Sequence, residues 1–227
     1  KGVFPNYDFL RSLRNDLSGK QGTIFRYHNH ENTYLLLLYQ QLKEETRRTV
    51  PDKDELMSFI REIAQPSGKT DSWVPRNEMQ DLYKIVINHF YSLYARGSNS
   101  IKSILPAVIR SSDFLRAKYS RPVYGTKELP SRNFKEPHTW IQKKTDYNPY
   151  LTLPQVFTGL EKNNLSHHNG MDELKDGGAA MMAYAYLQFS EIDEPTRMKY
   201  RDALLRYCEL DTMAMVMIWE YFREVRS

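Results

Sequence analysis

Near the C-terminus an aspartate falls where a helix calls for a hydrocarbon, and nothing else in this 227-residue chain constrains its folding as sharply. Leu204, Cys208, Met215, Ile218 and Phe222 recur at helical spacing, and Asp211 lies inside the stripe they define. The acid and proline at Asp193 to Pro195 mark a helix start, and the pattern runs on to about Val225. A carboxylate on a buried face is costly unless it is paired, hydrogen-bonded or bound to a metal. Tyr207 precedes Asp211 by four residues, which puts its phenol one turn away on the same face. A Tyr-x-x-x-Asp pair can hold a metal through the carboxylate and orient an attacking water through the hydroxyl. A buried Asp–Tyr or Asp–Arg bond that ties helices together accounts for the same spacing. Cys208, on the expected core face beside an acid, reads as packing and not as a nucleophile.

The remaining pattern is mostly helical. Residues 8–17 form an amphipathic segment with Phe9, Leu10, Leu13 and Leu17 on one side. After the break at 18–22, residues 23–27 are short, β-branched and aromatic, as in a buried strand. Tyr34, Leu35, Leu38 and Leu42 then restore a helical stripe. Further helices are expected over 55–64, over 77–94 with Leu82, Ile85, Val86 and His89 on one side, and over 101–118 with an interruption at Pro106. A loop-rich stretch of about 120–175 follows, and Gly177-Gly178 turns the chain into a helix over 179–189. The whole reads as one domain, 1–227, with one clear strand.

Composition narrows the function classes. The single cysteine excludes an internal disulfide framework and a multi-cysteine zinc site, and no apolar run is long enough to cross a bilayer. With no signal-peptide pattern, the expected location is the cytoplasm. The net charge is +4, but residues 110–144 hold nine Lys or Arg against three acids, which leaves the rest slightly acidic. Such a stretch attracts phosphates, or is an ordinary solvated loop. It is interleaved with Tyr119, Tyr124, Phe134, Trp140 and Tyr147, a composition suited to stacking on single strands.

Glu31 is a second candidate acid. It stands in the first turn of the helix after the 23–27 strand, at the carboxyl end of a strand, where open α/β sheets place ligands. An acid there also interacts favourably with the helix dipole without further function. His28 and His30 lack the third ligand of a zinc site, and His167-His168 reads as a polar loop.

Three ordered motifs carry a resemblance. The stretch Arg206 to Met215, with its Tyr-Cys-Glu-Leu-Asp-Thr core, resembles the third motif of DEDD-type 3′–5′ exonucleases in the version with tyrosine, and Gly22 to Glu31 resembles their second. Over nearly its whole length the chain resembles a bacterial family defined as a domain of unknown function. Its members carry Gly-Ser-x-Ser-Ile-Lys-x-x-Leu-Pro-Ala (Gly97 to Ala107), Asp-Gly-x-Ala-x-Met (Asp176 to Met181) and the Tyr-Cys-x-x-Asp-Thr helix. The resemblance implies an α/β fold of the RNase H-like exonuclease lineage and a nuclease-like hydrolase acting on DNA or RNA. In it, two divalent ions, magnesium or manganese, are held by four carboxylates and clamp the scissile phosphate. Glu31 and Asp211 would be metal ligands, Tyr207 would position the water, and Ser100 and Lys102 would approach the substrate phosphate.

The sequence departs from that pattern in three places. The second motif ends in Glu31 where Asp is usual, and Tyr27 replaces its asparagine. The first motif, Asp-x-Glu on the opening strand, is absent, since no Asp here is followed two residues later by Glu. The expectation is that this motif, with the N-terminal strands, lies in a segment upstream of Lys1. The visible part would then be mostly helical and inactive or nearly so alone. Two other readings stand beside it: a non-catalytic nucleic-acid-binding module, and a helical interaction domain in which Asp211 is structural.

Overall fold

The computed structural model describes residues 5–46, 50–66, 72–153 and 174–226. They are mostly helical, with one small two-stranded sheet, and the chain divides into two compact units, Val3–Phe90 and Tyr91–Ser227.

In the first unit, α1 (Asn6–Leu17), α2 (His30–Glu44) and α3 (Lys53–Ile63) bury Leu10, Leu35, Leu38, Leu42, Leu56, Phe59, Ile60 and Ile63 in one core. The stripe expected on α1 is only partly inward: Leu10 is fully buried and Phe9 is exposed. Ion pairs Arg11–Asp52 at 2.7 Å and Arg14–Glu55 at 2.6 Å tie α1 to the start of α3. The expected strand is cut to β1 (Phe25–Arg26), which pairs in parallel with β2 (Gln80–Asp81). Parallel pairing requires a crossover, and α2 and α3 supply it.

The helix expected over 77–94 is shorter, because its first residues are taken by β2. Asp81 accepts from the Tyr83 N–H at 3.1 Å and caps α4 (Leu82–His89), and Phe90 leaves in extended backbone. The same carboxylate is one half of a buried pair. Arg26 and Asp81 lie opposite each other in the sheet register with N···O at 3.6 Å, and their side chains are 8% and 9% exposed. Asp81 also accepts from the His28 N–H at 3.0 Å, and Arg26 donates to the His28 carbonyl at 2.9 Å and to Asn29 Oδ1 at 2.7 Å. These bonds hold His28 in left-handed backbone, φ 69°, and so shape the turn that delivers α2.

The second unit is built on its last helix. Its elements are α5 (Ile101–Ser111), α6 (Asp113–Tyr119), α7 (Leu174–Phe189) and α8 (Glu194–Arg226), and α5, α6 and α7 all pack against α8. Short 3-10 turns occupy Leu93–Ala95, Lys143–Thr145 and Pro149–Thr152. The expected interruption at Pro106 does not occur; α5 runs through it and ends at Ser112, whose extended backbone and Oγ···H–N bond to Leu115 start α6. Gly177-Gly178 lies inside α7 and not at a turn before it, and His167-His168 falls outside the described residues.

Residues 120–153 are the expected loops, organised around packed rings. Tyr124, Phe134, His138 and Trp140 stack with centroids 4.3–5.7 Å apart. Gly125, at φ 78°, passes so close to the Glu136 carbonyl that a Cβ would sit 3.1 Å from it. Burial in this cluster, followed by the nearby Arg206 charge, holds the His138 imidazole below its ordinary value.

Two predictions follow from this packing. Removing one partner of the Arg26–Asp81 pair strands a buried charge, so Asp81→Ala should cost about 3–5 kcal/mol in a denaturant melt. Replacing both residues with apolar side chains should cost much less. His138 stays neutral in the fold while the unfolded chain takes up a proton near 6.5. Its contribution is therefore fully present above that pH and is lost as pH falls from there toward the lowered native value. The drop in melting temperature between about pH 7.5 and pH 5.5 should be smaller in His138→Phe than in the wild type.

Candidate functional site

The buried face of α8 is Ala203, Leu210, Met213, Ala214, Met217 and Ile218, so only Ile218 of the expected stripe is fully buried. The helix is turned by roughly one residue position, about 100°, from the face its larger side chains suggest. Cys208 is exposed, contrary to the expectation that it packs in the core. Its sulfur nevertheless keeps enough protein around it to push the thiol above the ordinary range, and the Asp211 charge adds to that, so it is not an activated nucleophile. Asp211 is half-buried at the edge of the core face, between Leu210 and Ala214.

Asp211 accepts a hydrogen bond from outside its own helix. The Tyr150 hydroxyl, on the Pro149–Thr152 turn, donates to Asp211 Oδ1 at 2.7 Å. Nothing in the spacing of α8 signals Tyr150, because the contact spans 61 residues. Its ring lies 6.1 Å from that of Tyr207, and the Lys102 ammonium stands 5.1 Å from the Tyr207 centroid and 5.8 Å from that of Tyr150. Lys102 is in the first turn of α5, and Ser100 is that helix's N-cap residue, its side chain making no capping bond. Four of the five residues singled out from sequence, Ser100, Lys102, Tyr207 and Asp211, therefore lie on α5 and α8, two helices that pack together. A lysine at a helix N-terminus beside two phenols suits an oxyanion, with Asp211 as a proton acceptor at its edge.

Glu31 belongs to the other unit, in the first turn of α2 as expected, and its Oε2 is buried with no hydrogen-bond partner. That orphaned oxygen is in keeping with a cation ligand. Among the described residues, however, no group of three or more His, Cys, Asp or Glu converges to hold a metal. The donor set present is one carboxylate in each unit, which is not by itself a divalent-metal site.

Four of the five aromatics expected to form a stacking surface are core: Tyr119, Tyr124, Phe134 and Trp140 are 0–8% exposed. They lie in the basic stretch because that stretch has little other hydrocarbon with which to close. The basic side chains around them are in part matched, half-buried Arg110 to Asp146 and half-buried Arg116 to Asp113. No helix among the described residues is long and apolar enough to cross a membrane. No family model matches the chain, and no curated protein or solved structure matches it either.

The Tyr150–Asp211 bond gives a direct measurement. Tyr150→Phe should lower stability by about 0.5–1.5 kcal/mol, the usual worth of one hydrogen bond. A double-mutant cycle with Asp211→Asn should return a favourable coupling of that order, read from chemical denaturation.

Proposed function

We propose that the α5–α8 site binds the phosphate of a nucleic acid strand, and that the chain is part of a metal-dependent nuclease of the RNase H-like, tyrosine-variant DEDD lineage. The observation that carries this reading is the convergence of Lys102 with Tyr207 and the Tyr150-bonded Asp211, groups separated by about a hundred residues of sequence. Lys102 and the free end of α5 attract the phosphate, Ser100 offers a hydroxyl at its edge, and Tyr207 holds a water or phosphate oxygen in line. Phosphodiester hydrolysis by this lineage uses four carboxylates around two magnesium or manganese ions. By the resemblance Glu31 and Asp211 correspond to two of these, and the sequence contains no Asp-x-Glu to correspond to the others. Binding without turnover is therefore the activity proposed for these 227 residues.

A second reading has its own observation. Tyr150 donating to Asp211 is the interaction expected if the acid merely ties the Pro149–Thr152 turn to α8. Titration of a fluorescent single-stranded oligonucleotide separates the two. The chain should bind it, manganese should tighten binding relative to EDTA, and that gain should vanish in Asp211→Asn. Lys102→Ala should weaken binding about tenfold with or without metal, and no variant should cleave. If metal has no effect and Asp211→Asn only lowers the melting temperature, Asp211 is structural. Asp211-dependent cleavage by the chain as it stands would overturn the claim that half the site is missing.

A further inference from the structure

Several cations of residues 91–227 have an acid: Lys118 has Glu220 at 2.6 Å, Arg197 has Glu194 at 3.7 Å, and Arg110 and Arg116 have theirs. Arg206 differs. It is half-buried, its Nε is buried with no hydrogen-bond partner, and it has no carboxylate partner among the described residues. Its guanidinium lies over Phe134, with Cζ 5.2 Å from the ring centroid. Two acids lie one turn away along the helix: Asp202 at i−4 is exposed and makes no ion pair with it, and Glu209 at i+3 is turned away to the 124–133 loop. There it accepts from Tyr124 at 2.6 Å, from Asn133 at 2.5 Å and from Ser131.

A second donor in the same cluster is also unmatched. Trp140 is fully buried, and its Nε1–H has no acceptor. Phe134 joins the two, lying 5.0 Å from Trp140 by centroid and beneath Arg206. The Arg206 charge is felt at His138, 4.3 Å from Trp140, which it helps keep unprotonated. A partly desolvated guanidinium and a buried indole N–H, both packed on Phe134, leave an acceptor wanting.

We infer that Arg206 anchors an oxyanion subsite at the Phe134–His138–Trp140 cluster, and that its ligand is a phosphate group. The planar fork of five N–H donors matches such an anion in two-point fashion. The group could arrive as a phosphodiester of a bound strand, which rests on the function proposed above, or as free phosphate, which does not.

The test uses the 227-residue chain, with inorganic phosphate as the first probe. At matched ionic strength, phosphate should raise the melting temperature above its value in chloride. Arg206→Met, which keeps the apolar stem on Phe134, should lose that gain while melting normally in chloride. Should Arg206→Met melt early in chloride, Arg206→Lys replaces it, and its phosphate gain should be smaller than that of the wild type. Equal effects of phosphate and chloride on the wild type, or an undiminished gain in the variant used, would overturn the subsite. Fluorescence anisotropy with a labelled single-stranded oligonucleotide then tells the sources apart. About tenfold weaker binding by Arg206→Met, with the salt slope reduced by about one, assigns a phosphodiester. Unchanged oligonucleotide affinity together with a lost phosphate response assigns the free anion. Lys102→Ala should keep its phosphate gain, so failure of the α5–α8 reading does not carry the Arg206 subsite with it.

Discussion

The second unit hangs on carboxylates spaced along one helix. Glu209 takes Tyr124, Ser131 and Asn133; Asp211 takes Tyr150; Glu220 takes Lys118 and Tyr119; Glu224 takes Ser112. Each bond reaches back at least 61 residues and fixes a different point of the 112–152 segment to α8. That segment has little regular structure after Tyr119, so it cannot satisfy itself through a helical or sheet hydrogen-bond network. The acids and the ring cluster do the work that backbone pairing does elsewhere. Burial, with help from those charges, also drives the Tyr119 and Tyr124 phenols well above their ordinary values, so both stay protonated donors across the physiological range.

The first unit solves the same difficulty with one pair instead of several. A two-residue parallel sheet has too few hydrogen bonds to fix its own register. Arg26 and Asp81 set it, because each side chain also binds backbone beyond the strands: Asp81 at His28 and Tyr83, Arg26 at His28 and Asn29. The placement of Glu31 follows from that clamp, since the turn at His28 and Asn29 determines where α2 begins.

Helices were legible in the sequence wherever their apolar residues were large and regularly spaced, as in α2, α3 and the start and end of α8. What misled was size. On α8 the buried positions are held by Ala203, Ala214, Ile218 and three methionine or leucine side chains, while Leu204, Cys208 and Met215 lie to one side. A periodicity argument weights the bulkier residues and so selects a neighbouring face. Small residues mark closeness instead: alanines let α5 and α7 approach, and the core forms where the helices come nearest. The aromatics of 119–140 misled for a related reason. Among many lysines and arginines they suggest stacking partners for bases, yet a loop with few aliphatic residues has only its rings with which to make a core.

The candidate site shows the complementary limit. Asp211 stands out in the sequence as an acid in an apolar stripe and Tyr207 by its spacing from it, Ser100 and Lys102 are singled out only by the resemblance, and the packing of α5 on α8 brings the two helices together. Tyr150 was not visible, because it sits in an irregular turn with no periodicity to violate. Arg206 carries no signal in the sequence, because an arginine on a long helix is ordinary until its neighbours are known. Its anomaly is that neither acid one turn away meets it: Asp202 is exposed and unpaired with it, and Glu209 is spent on Tyr124, Ser131 and Asn133. An unmatched charge is thus a property of the folded network and not of the residue. On α8 two adjacent residues face this differently: Tyr207 meets a cation it can shield with its ring, and Arg206 meets a ring that attracts its charge but accepts none of its protons. A ring face cannot fill a guanidinium's directional donors, and that leaves Arg206 suited to an oxygen-bearing anion.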